Sequence, residues 1–236
     1  MGHRIRSPKQ NVIEPNKMEN KKVQAPMRIL IIGANGGIGR QAVEIALAAG
    51  RSVTALVRDP AKLTLTHAKL EVVKGDIMRP ETFENFLGDK DAVISAIGVA
   101  ALGPTTLYSE GNKNLIAAIK KNAAARAFFI SASAIEISPV QSFFIRLFTK
   151  YILQKILRNP YADQMTMEKL IKESGINWTI MRPPRLTNKP ATGHYRIAIN
   201  SFLKNCLIIA RADVAHFMIN NINNERTYKT TVEIAY

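Results

Sequence analysis

The residues with the clearest chemical potential form a glycine-rich stretch at 33–39. Its glycines recur at every third position, between an apolar run at 27–32 and a helical pattern. Glycines placed in this way allow a tight turn after a strand, a close approach of the backbone to a pyrophosphate, and close packing of the next helix. The N-terminus of that helix also attracts phosphate. The pattern predicts a dinucleotide site rather than a turn that only connects two elements, and its residues are Gly33, Asn35, Gly36, Gly37, Ile38 and Gly39.

A basic residue follows the second predicted strand, at 52–57, where it can select between dinucleotides. A carboxylate at this point binds the ribose hydroxyls of NAD, whereas a guanidinium binds the 2′-phosphate of NADP. Arg58 occupies the position, so the sequence predicts NADPH as the cofactor. Arg40 either reaches the same phosphate or is an exposed cation of the first helix. Asp59 lies beyond the strand end and is expected either to turn outward or to cap a short helix that starts at Pro60.

The end of the fourth predicted strand, at 91–98, offers room for the cofactor ribose. Ala96, Ile97 and Gly98 lie at its carboxyl edge and are predicted to contact the cofactor. Tyr108 follows in the next loop. Its ring is expected either to lean on the nicotinamide or to cover the helix behind it.

Candidate contacts for a substrate lie at the carboxyl ends of the next two strands. Ser131 and Ser133 follow the fifth strand, above the point where ligands sit in open α/β sheets. Pro183 ends the sixth strand, and His194 lies in the stretch beyond it. Both are candidate walls of a pocket, but a histidine in a loop, such as His194, is more often only solvated.

These residues need a framework of alternating strands and helices. The alternation predicts an α/β fold, a Rossmann-like doubly wound parallel sheet, in a single domain over 27–236 with a small substrate-side extension at its C-terminal end. Residues 142–158 interrupt the rhythm, because aromatic and aliphatic residues recur there at helical spacing opposite basic ones. This helix is expected to pack on the domain or to cover the active site, and the alternative is an element at a membrane surface.

The charge of the chain is strongly positive. Its 236 residues suit one α/β domain and have a formal net charge of +15. Residues 1–26 have six Lys or Arg against two Glu, and they are predicted to be a disordered basic tail. A basic field favours an anionic ligand. No helix groups several arginines with aromatic residues, so nucleic acid is not expected as a partner.

The single cysteine and the hydropathy of the chain indicate its compartment. Cys206 excludes an internal disulfide and lies in an apolar run, so it is predicted to be buried and inert. Neither a signal peptide nor a membrane span is expected. The sequence predicts a cytoplasmic protein without a metal site.

Several further motifs accompany the glycine-rich stretch: Val57-Arg58-Asp59-Pro60, Gly75-Asp76, Glu173-Ser174-Gly175, 178–183, Thr192-Gly193-His194-Tyr195 and Arg211-Ala212-Asp213-Val214-Ala215. Together they resemble the atypical short-chain dehydrogenases/reductases, in particular the NAD(P)H-binding group with flavin reductase/biliverdin reductase B and the NmrA-like proteins. The resemblance implies that Asp76 and Ile77 flank the adenine, and the alternative for Asp76 is a turn or N-cap residue.

One departure from the superfamily concerns catalysis. Its dehydrogenases are known for a Tyr-x-x-x-Lys pair, but Tyr161 is followed four residues later by Met165. A tyrosine without a nearby cation is a poor proton donor-acceptor at neutral pH. Three hypotheses remain: an NADPH-dependent reductase of a planar acceptor such as a flavin or quinone, with Ser131, Ser133 and Tyr161 as candidate catalytic groups; an NmrA-like NADP sensor with a regulatory protein as its partner; and, on charge alone, a nucleic-acid-binding protein.

Overall fold

A computed structural model of the chain describes residues 27–99, 101–122, 124 and 126–236. The tail predicted at 1–26 lies outside the described residues. The strands are β1 (Arg28–Ile32), β2 (Ser52–Val57), β3 (Leu70–Lys74), β4 (Ala92–Ser95), β5 (Ala127–Ile130), β6 (Trp178–Arg182), β7 (Arg185–Thr187), β8 (Arg196–Ile199), β9 (Ile208–Ala210) and β10 (Thr230–Ala235). The helices are α1 (Gly37–Ala48), α2 (Leu107–Asn122), α3 (Phe143–Phe148), α4 (Gln154–Ile156), α5 (Arg158–Glu173) and α6 (Arg211–Asn220), and a π-helical turn (Thr149–Leu153) joins α3 to α4.

Eight strands form one sheet in the order β3-β2-β1-β4-β5-β6-β10-β8. All neighbours are parallel except β8, which runs antiparallel to β10. The chain crosses from β1 outward to β3 and then returns past β1 to β4, so the switch point lies between β1 and β4. The predicted doubly wound, Rossmann-like α/β fold is confirmed. A separate pair, β7 and β9, lies outside this sheet.

Helices cover both faces of the large sheet, as a parallel sheet requires. On one face α1 packs against α6, and on the other α2 packs against α5. The residues of β1 alternate between these layers: Ile29 and Ile31 belong to the core under α1 and α6, and Leu30 and Ile32 to the core under α2 and α5. Burial on both faces explains why β1 is a continuous apolar run.

Three details differ from the sequence predictions. Between β3 and β4, where the alternation of strands and helices predicts a helix, the chain forms two 3₁₀ turns, Pro80–Thr82 and Glu84–Phe86. Two short strands, β7 and β8, were not predicted. At 142–158 the helical segment packs on the domain along one side only, through half-buried residues such as Ile145 and Leu153, and most of its large apolar side chains are exposed.

The expectations about Cys206 and about a membrane span can be compared with the structure. Cys206 is buried, and burial raises the pKa of its thiol to about 12, in agreement with an inert side chain. Within the described part of the chain, each helix is too short or too polar to cross a bilayer.

Candidate dinucleotide and acceptor site

The glycine-rich turn after β1 is shaped by close backbone contacts. Gly33 has a φ of +80°, and a Cβ there would lie 2.7 Å from the Ala96 carbonyl oxygen. A Cβ on Gly39 would overlap the Gly33 carbonyl oxygen, so α1 can approach this turn only through glycine. Gly36 precedes α1 without a side-chain cap, and the first turn of α1 has no acidic residue. The turn thus presents an uncapped helix N-terminus to any ligand above it.

The turn is tied to the end of β2, where the cofactor-selecting residue was predicted. The Asn35 amide donates a hydrogen bond of 2.9 Å to the Asp59 carbonyl oxygen. The Asp59 carboxylate accepts from the Ala61 N–H at 3.2 Å and caps the 3₁₀ turn Pro60–Lys62, which confirms the predicted cap. Arg58 is exposed at this edge and forms no ion pair among the described residues. Its guanidinium is therefore accessible to an anion.

Arg40 has a different environment from Arg58. Its guanidinium bonds to Glu44 of the same helix at 3.1 Å, and both side chains are more than a third exposed. This geometry favours the interpretation of Arg40 as an exposed cation of the first helix over the interpretation as a phosphate contact.

A second arginine, which the sequence prediction did not include in the site, lies directly over the turn. Arg211 is the first residue of α6, and its side chain crosses the start of α1. A Cβ on Gly37 would overlap the Arg211 Cδ atom and lie 2.6 Å from its Nε atom. The guanidinium is held by the Asn188 side-chain oxygen at 2.8 Å. A guanidinium packed on the positive end of a helix favours an anion between the two.

Of the residues predicted to flank the adenine and ribose, Ala96 and Ile97 lie directly beside the turn at Gly33. The Asp76 carboxylate accepts from the Met78 N–H at 3.0 Å. This is the geometry of a turn residue, which was the alternative to a contact with the adenine. Ile77 is buried against Gly111 of α2, so its side chain belongs to the core. Ala96 and Ile97 are half-buried, and Gly98 is exposed. Contact of these residues with a cofactor stays a prediction.

The acceptor side is formed by the ends of β5 and β6. The Ser133 N–H donates to the Pro183 carbonyl oxygen at 3.0 Å, so the two strand exits are joined. Ser131 and Pro183 are buried, and Ser133 is half-buried. The Ser131 hydroxyl lies beside the Glu168 carboxylate of α5. The structure thus brings the two serines and the proline together, and it leaves His194 exposed on a turn farther along the chain.

The two candidate tyrosines lie close together between α2 and α5. The Tyr108 hydroxyl accepts from the Val99 N–H at 3.3 Å. Burial raises the pKa of Tyr161 to about 12, and the nearby Tyr108 adds to this effect. Asp163 of α5 accepts from the Tyr108 backbone N–H at 2.8 Å and from that of Ser109 at 3.2 Å, so it fixes the start of α2.

A cluster of charged side chains lies at the end of β6, next to the acceptor side, and the sequence prediction did not include it. Arg182, at the end of β6, donates to Glu168 at 2.8 Å and to Glu136 at 2.7 Å. Burial alone would raise the pKa of Glu168, but the hydrogen bonds from Arg182 lower it below the usual value. On β10, burial raises the pKa of Glu233 to about 7. Arg182 and Glu233 both line a cavity of about 160 Å³.

The two C-terminal motifs form one structural unit. The Asp213 carboxylate is completely buried and accepts from the Thr192 N–H at 2.8 Å and the Gly193 N–H at 2.9 Å. It also accepts from the Tyr236 hydroxyl at 2.6 Å. Asp213 therefore fixes the turn that carries His194 to the N-terminal part of α6.

The glycine-shaped turn at the switch point, the uncapped helix and the two arginines define a dinucleotide-binding α/β domain. The chain belongs to the NAD(P)H-binding family, which matches residues 33–225. The predicted resemblance to the NAD(P)H-binding group of the atypical short-chain reductases is confirmed by this family match.

Several proteins are similar to parts of this chain. An uncharacterized chloroplastic protein of Arabidopsis thaliana is 30% identical over 77% of this chain and 67% of its own length. A photosystem II assembly factor of Synechocystis is 37% identical over 44% of this chain, which spans only 33% of the factor. A short-chain dehydrogenase/reductase of Veillonella parvula, solved in complex with NADP, has a TM-score of 0.72 at 16% identity and covers 89% of this chain and 94% of its own.

Proposed function

We propose that the protein is an NADPH-dependent reductase of a planar, electron-poor acceptor such as a flavin or a quinone. The observation that carries the proposal is the state of Tyr161. Its phenol is kept protonated by a pKa raised to about 12, and the residue one turn later is Met165, which supplies no cation. A proton relay of the Tyr-Lys kind is therefore unsupported, and the chemistry has to proceed without one.

The residues around the turn fit a dinucleotide. Gly36 and Gly37 are exposed above the uncapped start of α1, where a side chain would fill the space. Arg211 would bind the pyrophosphate from above, and Arg58 would bind the 2′-phosphate. Because Arg58 has no acidic partner among the described residues, we favour NADP over NAD. The cofactor supplies a hydride when bound, and the protein supplies orientation and a site protected from water.

The protein groups on the acceptor side would position a flat ring. Ser131 and Ser133 are the candidate hydrogen-bond donors, and Pro183 and Tyr108 are candidate walls. His194 would bound the site only from the exposed turn that Asp213 fixes. Proton delivery from solvent suffices for such an acceptor, because no alkoxide has to be stabilised.

A second candidate function is a non-catalytic NADP-binding regulator. The relative that is named as a photosystem II assembly factor favours this alternative, since its name describes assembly rather than turnover. The two functions share the dinucleotide site and differ only in whether bound NADPH is consumed.

Turnover distinguishes the two functions. Purified protein is mixed with NADPH and either FMN or a simple quinone, with NADH as the control cofactor, and absorbance of the reduced nicotinamide is followed. Consumption that prefers NADPH supports the reductase. Tight NADPH binding without consumption on either acceptor refutes it and favours the regulator.

The cofactor preference has its own test. Arg58→Glu should weaken NADPH binding about tenfold to a hundredfold and leave NADH binding nearly unchanged, because the lost contact is a charge-assisted hydrogen bond. Arg226→Glu changes the same charge at an exposed position far along the chain and is the matched control. Equal losses for NADPH and NADH in Arg58→Glu would refute the 2′-phosphate contact.

A further inference from the structure

The helical segment 143–156 rests on the domain along one narrow line. Half-buried residues recur at every fourth position along this part of the chain: Gln141, Ile145, Thr149, Leu153 and Leu157. On a helix of 3.6 residues per turn, a strict repeat of four drifts around the axis by about 40° per turn. The π-helical turn Thr149–Leu153 is wider and opposes this drift. The segment therefore keeps one side on the protein and the other sides in solvent over its whole length.

Most of the surface that the segment presents to solvent is apolar. Seven large side chains on it are exposed, and we call them the aromatic face: Phe143, Phe144, Leu147, Phe148, Tyr151, Ile152 and Ile156. Phe144 is 81% exposed and Phe148 is 52% exposed. Single exposed apolar residues are common, but a contiguous group of this size marks an interaction surface.

The charged residues of the chain segment that carries the aromatic face have one sign. The sequence contains no Asp or Glu between Glu136 and Asp163. The four basic residues in this interval are all exposed, and none of them forms an ion pair among the described residues: Arg146, Lys150, Lys155 and Arg158. The Lys150 ammonium lies 5.2 Å from the centre of the Tyr151 ring, at the border of the apolar surface. A surface that is complementary to the aromatic face is therefore apolar at its centre and negatively charged at its border.

We propose that the aromatic face docks on the surface of an anionic lipid bilayer, with the segment 143–156 lying in the plane of the interface. A bilayer accepts a convex helix without a complementary groove, and its acyl boundary takes up the apolar side chains. Basic side chains beside the face are attracted by anionic headgroups close to the membrane surface. A face with phenylalanines at its centre and lysines or arginines at its border meets both conditions.

Docking would also place the acceptor side close to the membrane. The Gln154 amide donates to the carbonyl oxygens of Ala134 at 3.1 Å and Ile135 at 3.2 Å. These residues directly follow Ser133, so the docked segment is bonded to the loop of the proposed acceptor site. An acceptor dissolved in the bilayer, such as a lipid quinone, would suit this arrangement, and that last step rests on the proposed function.

Vesicle binding tests the docking without NADPH or turnover, so it is independent of the proposed function. The full chain is sedimented with vesicles of phosphatidylcholine and with vesicles that contain about one quarter phosphatidylglycerol. We expect binding to the anionic vesicles, weakening as salt is raised, and little binding to the neutral ones.

Two variants assign the binding to the aromatic face. Phe144→Ser combined with Phe148→Ser should reduce binding at least about tenfold, since each phenyl ring contributes apolar area to the membrane. Lys150→Glu should reduce it about fivefold or more. Leu207→Ser and Lys120→Glu change exposed residues elsewhere and should bind like the unchanged chain. Thermal unfolding monitored at the single buried Trp178 verifies that each variant is folded.

Three results would overturn the proposal. Undiminished binding of the double variant would assign the interaction to another basic region, such as residues 1–26, which all variants retain. Equal binding to neutral and anionic vesicles would remove the charge argument. Failure to bind either vesicle would refute the docking, and a dimer that the double variant dissociates would then show that a second copy of the chain covers the face.

Discussion

The contact between Arg211 and Gly37 predicts how a single methyl group can weaken dinucleotide binding. In Gly37→Ala, the new Cβ would overlap the Arg211 Cδ atom and lie 2.6 Å from Nε. These atoms belong to a flexible side chain, so the backbone can stay in place while the guanidinium moves away. Alanine is also a better helix former than glycine, by up to about 1 kcal/mol. We therefore expect unchanged or slightly higher stability.

The binding loss can be estimated from the contact that disappears. A charge-assisted hydrogen bond contributes about 1.5–3 kcal/mol, so the NADPH dissociation constant should rise about tenfold to a hundredfold. Arg211→Ala should cause a similar rise. Since both changes remove the same contact, the double variant should bind about as weakly as either single variant.

The assay is a calorimetric titration with NADPH for the four proteins of this cycle, together with their urea unfolding. Gly88→Ala, at an exposed glycine whose Cβ would meet no atom closer than 3.7 Å, is the matched control. Losses that add in the double variant, or full affinity in Arg211→Ala, would refute the role given to this arginine.

Three further predictions concern stability. Gly39→Ala should lower the free energy of unfolding by about 1–3 kcal/mol in urea titration, because its Cβ would overlap the Gly33 carbonyl oxygen and backbone must move. Arg182→Met should lower it by about 3 kcal/mol, because the buried Glu168 loses its buried cation and keeps only the more exposed Lys172 at 3.1 Å. Glu233→Gln should stabilise the protein by up to about 3 kcal/mol at pH 8 and far less at pH 4, measured as unfolding free energy against pH. Burial raises the pKa of Glu233 from 4.5 to about 7, so the unfolded chain releases this proton first and stability falls as pH rises through that window.

Each of these predictions has a contrasting measurement. Gly88→Ala should leave stability nearly unchanged where Gly39→Ala lowers it. Arg185→Met removes an exposed arginine three residues beyond Arg182, and an equal loss in both would contradict the buried pair. Glu173→Gln, at an exposed carboxylate, should not alter the pH dependence.

Most of the sheet could be predicted because its signals are local. An apolar run such as 28–32 followed by glycines needs no distant partner to be recognised as a strand and a turn. β7 and β8 gave no such signal, since they have only three and four residues and none of them is fully buried. Their pairing with β9 and β10 depends on chain segments that fold back from far along the sequence.

The residues of the candidate site also fall into those that the sequence predicted and those that it did not. Gly33, Gly39 and Arg58 were identified from their positions relative to β1 and β2. Arg211 was not included, because its contact with Gly37 joins residues 174 positions apart in the chain. The sequence contained one indication of this contact. The first position of a helix does not require glycine, so the glycine at 37 indicates that another group lies close to it. The exposure of the aromatic face was also beyond the sequence, because helical periodicity does not show which side faces the domain.

The position of β10 has a consequence for synthesis of the chain. This strand is made last of the ten, yet it lies inside the sheet, between β6 and β8. While the ribosome is still translating residues 183–229, β6 has a free edge with unpaired backbone groups and apolar side chains, which is a template for wrong pairing with other chains. The nascent protein therefore reaches an aggregation-resistant state only after β10 has left the ribosome, and codon changes that slow translation between β6 and β10 should increase its dependence on chaperones.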